Sequence, residues 1–361
     1  MEEKGKKGRM DYTLLLIVVL LVVIGLVILY STSAYNGQVK FHDSFYYLKK
    51  QAFATVLGIV LMLFVAGMDY HIWQRLAVFG YLAAVALSVA VMLFGREING
   101  SKRWLALGPF SFQTSEFAKV ALILFLADLV TKNVKTIGKM WTLCRIMFWI
   151  LPIVGLVGAS NLSTAIIILG IGVILIFVAS PKYAQFALMG IAGACFMGIF
   201  LALESYRLER LAIWRNPEKY EKGYQTLQGL YAIGSGGVFG VGIGNSVQKL
   251  GFVPEAQNDM IFSIICEELG LAGAGIIVFL FLLLIWRFFL IASGSRDLFG
   301  ALIATGAMAH MMIQVILNIA VVTNTIPNTG ITLPFISYGG TSVMFLLIEM
   351  GLVLSVSQVV D

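Results

Sequence analysis

Asp259 is the side chain in this sequence that is best suited to acid–base chemistry. It closes the polar segment 251–259, which Pro254 interrupts, and a long apolar run follows it directly. A carboxylate in a dehydrated cleft has a raised pKa and can accept a proton, whereas a carboxylate that caps a helix has a lowered pKa and is a poor base. The residues alone leave both roles open for Asp259, with Asn258 as the alternative cap.

A second polar segment, residues 99–119, carries cations that could bind a phosphate. The neighbours Lys102 and Arg103 precede a tryptophan, and an arginine can hold phosphate oxygens through two parallel hydrogen bonds. Ordinary anchoring at the membrane interface explains the same residues nearly as well. Glu116 and Lys119 are one helical turn apart and can pair on one helix face, either as a purely structural pair or beside a cavity.

Two further segments concentrate glycine and polar residues. Residues 223–250 are rich in glycine, but no Gly-Lys-Ser or Gly-Lys-Thr sequence follows, so a nucleotide-binding loop is excluded. Either close helix packing or a flexible re-entrant turn is predicted instead. Residues 324–342 contain two prolines and many hydroxyl side chains, which are not typical of a plain helix. Non-helical backbone at membrane depth must be buried in protein or line a cavity, so this segment is predicted to border a cleft.

The composition identifies lipid as the solvent for most of this chain. Of its 361 residues, 59% are hydrophobic and 12% are charged, about half of the ~25% that is usual in globular proteins. A membrane span needs about 20 apolar residues to cross ~30 Å of hydrocarbon. We predict an all-α polytopic membrane protein that forms a single domain over residues 1–361, with about ten transmembrane helices. The predicted spans are roughly 12–31, 51–68, 75–94, 116–130, 144–159, 163–180, 184–203, 260–286, 299–322 and 340–358.

Lys and Arg residues in the short connections set the predicted orientation. They are more frequent in the connections that lie inside when the N-terminus is inside, so both termini are predicted to be cytoplasmic. The segment 204–259 then forms a large extracytoplasmic loop before the eighth helix. The formal net charge of +6 comes mostly from the cytoplasmic rim, where it meets anionic lipid headgroups. Membrane lipids are therefore expected partners, and nucleic acid is not.

Cysteine and histidine give no sign of a metal site. The 3 cysteines lack CxxC spacing, and the 3 histidines lie far apart in the chain. His310 falls inside a predicted span, and we expect it to form a hydrogen bond to a neighbouring helix. No metal site is predicted.

Several motifs, in the same order along the chain, resemble those of the SEDS family of bacterial wall-synthesis proteins, which includes FtsW, RodA and SpoVE. The motifs are residues 99–104 (Asn-Gly-Ser-Lys-Arg-Trp), 115–119 (Ser-Glu-Phe-Ala-Lys), 251–259 (Gly-Phe-Val-Pro-Glu-Ala-Gln-Asn-Asp), 267–270 (Glu-Glu-Leu-Gly) and 330–340 (Gly-Ile-Thr-Leu-Pro-Phe-Ile-Ser-Tyr-Gly-Gly). The resemblance spans nearly the whole chain. The opening sequence leans toward the FtsW and SpoVE branch.

The resemblance implies a ten-helix peptidoglycan glycosyltransferase of the bacterial cytoplasmic membrane, with its active site on the extracytoplasmic face. Such an enzyme polymerises lipid II into glycan strands in cell division, shape or sporulation, and it works with a class B penicillin-binding transpeptidase. By motif match Asp259 is the essential aspartate, which we expect to act as the general base on the acceptor hydroxyl. The residues expected to contact the substrate are Lys102, Arg103, Glu116, Lys119, Gln257, Glu268 and Ser337.

The implied chemistry needs no energy-coupling cofactor, because the pyrophosphate leaving group supplies the driving force. A divalent cation, Mg²⁺ or Mn²⁺, could assist its departure. The chain departs from the family pattern at Thr114 and Asn258, which replace a usual proline and threonine. Asn161 also stands where the family usually has an aspartate, so this chain lacks that carboxylate.

Two other functions would use the same features. A lipid II flippase would use the cleft as a translocation path, but it should show paired broken helices and a coupling-ion residue near mid-membrane. Polar residues within the predicted spans are sparse apart from His310, Gln314 and Asn318. A non-catalytic division scaffold would tolerate the loss of Asp259. Incubation of the purified complex with labelled lipid II separates the three functions.

Overall fold

Long helices account for most of the fold. The computed structural model describes residues 8–98, 101–107, 110–187, 190 and 211–359. Its helices are α1 (Tyr12–Phe41), α2 (Tyr46–Gly67), α3 (His71–Phe94), α4 (Thr114–Asn133), α5 (Met140–Ser160), α6 (Leu162–Ala179), α7 (Tyr224–Gly236), α8 (Ile261–Gly294), α9 (Leu298–Val322) and α10 (Gly340–Ser357). Within these ranges, 8 helices are long and apolar enough to cross a membrane, namely all except α4 and α7. The prediction of an all-α polytopic membrane protein is confirmed.

Helix α4 has the length of a membrane span but carries charged residues at both ends. Its side chains are nevertheless mostly buried, including Glu116 and Lys119, because α3, α6 and α9 pack around it. Protein rather than lipid therefore surrounds these charges, as their cost in hydrocarbon requires. Each of the other predicted spans matches one of the long helices, except the one at 184–203, which lies mostly outside the described residues together with the start of the predicted loop at 204–210.

A small antiparallel sheet follows α3, where no strand was predicted. Its strands are β1 (Arg96–Ile98), β2 (Ser101–Leu107) and β3 (Phe110–Gln113), in the order β1-β2-β3. The pairing of Trp104 with Gln113 and of Leu105 with Phe112 sets the β2–β3 register. The Phe112 ring packs edge-on against Phe345 of α10 at a centroid distance of 5.6 Å. Packing of one face on the helices therefore favours strands here.

Helix α8 is two helices joined at a glycine. Gly270 has φ 67° and ψ −171°, a conformation that only glycine adopts readily. The glycine-rich loop after α7 pairs with this break: the Val241 N–H donates to the Glu267 carbonyl at 2.9 Å, and the Leu271 N–H donates to the Gly237 carbonyl at 3.0 Å.

Glycine is also required on the loop side of this contact. A Cβ at Gly240, whose φ is +78°, would lie 2.2 Å from the Glu268 carbonyl oxygen, and a Cβ at Gly236 would lie 1.9 Å from the Cys266 carbonyl oxygen. The prediction that these glycines serve close backbone packing is confirmed.

The polar segments predicted from the sequence meet at one end of the helix bundle. Ser337 Oγ donates to the Asn258 carbonyl at 2.7 Å, which joins the segment after α9 to the segment before α8. Ser163 Oγ, in the first turn of α6, donates to the Thr329 carbonyl at 2.9 Å. These contacts gather the residues of interest above the same end of several spans.

The two ends of the described chain meet at the opposite end of the bundle. The Gly8 N–H donates to the Gln358 carbonyl at 2.7 Å. Arg287, near the end of α8, forms an ion pair with Asp11, whose side chain caps α1. Both chain ends therefore lie on one side of the bundle, as the predicted topology requires.

Candidate active site

Asp259 lies at the junction between the segment 251–259 and α8. That helix begins at Ile261, and no side chain caps its N-terminus. Asp259 is therefore not a capping residue. Asn258 is not one either: no N–H of the helix donates to its Oδ1, and its amide nitrogen donates to Glu255 Oε2 at 2.6 Å. The alternative of a helix-capping carboxylate with a lowered pKa is wrong.

The Asp259 carboxylate is nearly buried beside neutral amides. The residue is 9% exposed. The Gln225 side-chain amide, on α7, donates to its two carboxylate oxygens at 3.4 and 3.5 Å, and Asn328 Nδ2 donates to Gln225 Oε1 at 3.4 Å. The Asn328 and Gln225 amides thus form a short chain that ends on the candidate base.

Burial raises the pKa of Asp259 to about 6, because a charged carboxylate is poorly solvated there. Hydrogen bonds to the carboxylate offset part of this rise, and the nearby Glu255 charge adds to it. A carboxylate with this pKa is ionised in most molecules at neutral pH. It is also a stronger base than an ordinary aspartate, as general-base catalysis requires.

The segment between α9 and α10 forms the wall opposite Gln225. Gly330, with φ +67°, leaves a gap in which a Cβ would lie 4.0 Å from Asp259 Oδ2. Farther along, the Tyr338 N–H donates to the Gln257 carbonyl at 2.9 Å. This segment thus holds the backbone of the two residues that precede Asp259, Gln257 and Asn258.

Gln257 and Ser337, which were predicted to contact substrate, form hydrogen bonds within the protein. Both are buried. Asn36 Nδ2 of α1 donates to Gln257 Oε1 at 3.0 Å. Ser337 Oγ accepts a hydrogen bond from the Leu333 N–H at 2.8 Å in addition to its bond to the segment before α8. A direct substrate contact by either side chain stays a prediction.

Two adjacent glutamates in α8 form a buried group that we call the glutamate clasp: Glu267, Glu268, Lys249, Ser31 and Ser246. Lys249 Nζ donates to Glu268 Oε1 at 2.6 Å and to Ser31 Oγ of α1 at 2.9 Å. Ser246 Oγ donates to Glu267. The clasp fastens the loop after α7 to α1 and α8. Glu268 therefore has a protein cation as its partner, and its predicted contact with substrate stays a prediction.

Glu116 and Lys119 pair inside the bundle. Lys119 Nζ lies 3.0 Å from Glu116 Oε1 and donates to Gln314 Oε1 of α9 at 3.2 Å. The Glu116 side chain is 7% exposed and the Lys119 side chain is 2% exposed. The predicted pairing on one helix face is confirmed, and its role in substrate binding stays a prediction.

Arg103 lies in β2 at the same end of the bundle as Asp259. Its Nε donates to the Ser160 carbonyl, at the end of α5, at 3.2 Å, and the side chain is partly exposed. Asn161, which replaces the family aspartate, caps α6 by accepting a hydrogen bond from the Thr164 N–H at 3.3 Å. The cap therefore persists without the carboxylate. Lys102 lies in the same strand, but its side chain is outside the described residues.

A continuous set of contacts connects Arg103 with Asp259. It runs from the Ser160 carbonyl through the first turn of α6, where Ser163 binds the Thr329 carbonyl, to the glycine beside the Asp259 carboxylate. A cation that can bind phosphate and a base of raised pKa are thus joined through the start of α6 and the segment between α9 and α10. This arrangement suits a reaction in which a proton is removed near one group while an anion leaves near the other.

The sequence did not identify the partners of these groups. Gln225, Asn328 and Lys249 each belong to segments that were noted as polar or glycine-rich, but nothing in their spacing assigns them to Asp259 or Glu268. The Gly-Tyr-Gln order at residues 223–225, where α7 begins, was the available signal for Gln225.

The candidate site offers no obvious cage for a metal ion. Within the ranges that the structure describes, no group of three or more His, Cys, Asp or Glu side chains could hold one. A divalent cation bound mainly by pyrophosphate oxygens would not need such a group, so the assisting cation stays a prediction.

Comparison with known proteins identifies the family. The family model of the FtsW, RodA and SpoVE cell cycle proteins matches residues 12–361. Stage V sporulation protein E of Bacillus subtilis is 39% identical over 366 aligned positions, which cover 98% of each chain. A probable peptidoglycan glycosyltransferase FtsW of Trichlorobacter lovleyi is 35% identical, over 96% of this chain and 93% of its own.

A solved structure extends the similarity to the fold. A chain of a peptidoglycan synthase complex, described as coordinating polymerization and crosslinking, superimposes with a TM-score of 0.83 at 29% identity, covering 96% of this chain and 97% of that chain. Similarity of this extent, in sequence and in fold, is that of a family member over its whole length. The chain belongs to the FtsW/RodA/SpoVE family of cell cycle proteins.

Proposed function

We propose that this protein is a peptidoglycan glycosyltransferase that polymerises lipid II into glycan strands on the outer face of the bacterial cytoplasmic membrane. The observation that carries the proposal is Asp259, a nearly buried carboxylate with a pKa raised to about 6 and with a neutral amide as its side-chain partner. Relatives named as peptidoglycan glycosyltransferases and a synthase complex of the same fold support it.

In this proposal Asp259 is the general base. The acceptor sugar hydroxyl approaches the carboxylate, which removes its proton as the oxygen attacks the anomeric carbon of the donor. Attack from the face opposite the leaving group inverts that carbon, so no second carboxylate is needed as a nucleophile. The lipid pyrophosphate leaves with the bonding electron pair.

Arg103 is the cation that we assign to the leaving pyrophosphate. It is partly exposed, and its guanidinium can hold two phosphate oxygens. Lys119 is less suited to direct contact, because it is buried between Glu116 and Gln314. Lys102 would add a second charge at the same strand, and a divalent cation would assist by bridging pyrophosphate oxygens.

The partner that we propose is a class B penicillin-binding transpeptidase. A glycan polymerase of this kind needs a second activity that crosslinks its product. The synthase complex of the same fold is described as joining polymerization with crosslinking.

The test is polymerisation by the purified protein. The protein and a transpeptidase partner whose catalytic serine has been replaced are incubated in detergent with fluorescent lipid II, and the products are separated by length. We expect glycan strands from the wild type and from Glu221→Gln, an exposed acid of the same predicted loop, and none from Asp259→Asn. Equal polymerisation by Asp259→Asn would overturn the assignment of the base.

The same purified protein, reconstituted into proteoliposomes, distinguishes the two rival functions. A flippase would move labelled lipid II across the bilayer of a proteoliposome without lengthening it. A scaffold would leave lipid II unchanged, and cells that carry Asp259→Asn would grow normally.

A further inference from the structure

The glycine-rich loop after α7 exposes large apolar side chains. No residue from 223 to 248 is charged, and Phe239 is 84% exposed and Val238 58% exposed. The other large apolar side chains that the loop exposes are Val241, Ile243 and Val247. Contiguous apolar surface of this kind is unfavourable in water and marks a site of interaction. The depth of the loop in the membrane decides what these side chains contact.

Two contacts between α1 and α8 limit that depth. At the end of the bundle where both chain ends lie, Asp11 forms its ion pair with Arg287. Farther along the same two helices, Ser31 Oγ donates to Glu268 Oε1 at 2.7 Å. Between these contacts each helix rises about 30 Å, at ~1.5 Å per residue.

This rise matches the thickness of the hydrocarbon layer, which is ~30 Å. The Asp11–Arg287 pair belongs at one edge of the layer or outside it, because charges are costly in lipid. Tilt of the helices can only shorten the distance along the membrane normal. The Ser31–Glu268 contact therefore lies no farther out than about the opposite edge of the hydrocarbon, on the side of the candidate active site.

The glycine-rich loop is bonded to α8 at the level of Glu268. The Gly242 N–H donates to the Glu268 carbonyl at 2.9 Å, and the Ala272 N–H donates to the Val238 carbonyl at 3.0 Å. Val238 thus lies beside the start of the spanning part of α8, where Leu271 is 71% exposed. The exposed apolar surface of the loop is therefore continuous with the lipid-facing surface of that helix.

The backbone of the loop suits this depth. Non-helical backbone at membrane depth must form its hydrogen bonds within the protein, because lipid offers none. Besides the bonds to α8, the Gly240 N–H donates to the Gly236 carbonyl at 2.8 Å, and the Asn245 N–H donates to the Gly242 carbonyl at 3.1 Å. These backbone groups bond within the protein, while the apolar side chains of the loop remain exposed.

We propose that residues 237–244 form a membrane-inserted loop whose apolar side chains, Phe239 above all, contact the acyl chains of the outer leaflet. The partner of this surface is thus phospholipid. The loop anchors the end of α7, the helix that carries Gln225, to the membrane beside the candidate site. Lipid contact can be measured without polymerisation, so its test is independent of the proposed function.

Photo-crosslinking tests this contact. The full chain with Phe239→p-benzoylphenylalanine is purified without a transpeptidase and reconstituted into vesicles of phosphatidylethanolamine and phosphatidylglycerol with radiolabelled acyl chains. After irradiation, the label bound to the protein is measured and mass spectrometry locates the adduct. We expect a phospholipid adduct at position 239, like that formed by Phe279→p-benzoylphenylalanine. Phe279 is exposed on the spanning part of α8 and serves as the lipid-facing control.

Tyr220 is the matched control on the aqueous side. It is an exposed aromatic residue of the same predicted loop, and its neighbours Lys219, Glu221 and Lys222 are charged. Tyr220→p-benzoylphenylalanine should form no phospholipid adduct. Because the bulky analogue can disturb the loop at one position, Val238→p-benzoylphenylalanine provides a second position with the same expected adduct as position 239.

Four results would overturn the proposal. The first is a phospholipid adduct at position 279 with none at position 238 or 239, and the second is equal labelling at position 220. The third is an adduct between position 239 and another part of the same chain, which would show that protein covers the loop. In the fourth, addition of the transpeptidase moves the adduct at position 239 from lipid to that protein, which would assign the surface to the partner.

Discussion

Asp259 and Glu268 are close together in the chain, and both are buried, but their side chains have different partners. Glu268 is buried against the Lys249 ammonium and the Ser31 hydroxyl, so its charge is neutralised and its position fixed. Asp259 is also buried, but its side-chain partner is the neutral amide of Gln225. The comparison separates two uses of a buried carboxylate: one holds elements together, and the other keeps a raised pKa and remains available for proton transfer.

The largest effect is expected when the candidate base is removed. Asp259→Asn should lower the polymerisation rate by about 10²–10⁴-fold, the usual contribution of a general base, without lowering the melting temperature. Rate measurements on labelled lipid II and thermal unfolding in detergent check the two halves of this expectation. A large loss of stability would place Asp259 with the structural carboxylates and break the comparison.

The reverse pattern is expected for the clasp. Lys249→Met leaves the Glu268 carboxylate buried without its cation, which typically costs about 3–5 kcal/mol of stability. Thermal unfolding should show the loss, and the double variant Lys249→Met/Glu268→Leu should recover most of it. The folded fraction should polymerise lipid II at nearly the wild-type rate. If the Lys249→Met protein is stable but inactive, the clasp has a role in catalysis and is not only structural.

Substitution can also test whether Arg103 binds the pyrophosphate. Arg103→Ala should raise KM for lipid II by roughly 10–100-fold, as expected for a lost hydrogen bond between charged groups, with little effect on membrane insertion. Arg75→Ala, an exposed arginine at the other end of α3, is the matched control. Unchanged kinetics for Arg103→Ala would remove the pyrophosphate assignment.

The smallest expected effect concerns the pH profile. Because Asp259 must be ionised to accept a proton, kcat/KM should fall as the pH drops below about 6, where its pKa lies, approaching tenfold per pH unit. The Glu255 charge contributes to the raised pKa, so Glu255→Gln should move this limb to lower pH by less than one unit. A shift to higher pH would show that another group controls the limb.

Much of the molecule could be predicted from its sequence, because the membrane restricts the choices. Apolar length fixed most of the helices, and the polar segments had to gather where lipid is absent. The bond from His310 to a neighbouring helix was also expected, and it is confirmed in the contact with Glu349. These predictions depend only on local composition and on the cost of polar groups in hydrocarbon.

The remaining features depend on which distant residues meet. Glu268 binds Ser31, which is 237 positions away in the chain. The sequence around either residue does not predict this contact. The same is true of Gln225 and Asp259, whose contact requires the loop to fold back from α7. The strands after α3 were missed because the tendency of a short segment to form a strand depends on what it packs against. Here β3 packs on α10 through Phe112 and Phe345.

The glycine break in α8 has a mechanical consequence. Residues 271–294 are long enough to cross the bilayer alone, at ~1.5 Å per residue, whereas the first turns of α8, next to Asp259, are tied to the loop and to α1. When the bilayer thins or thickens, the spanning part must change its tilt. Gly270 lets that tilt be absorbed as a bend, so the carboxylate keeps its place while the lipid around the protein varies.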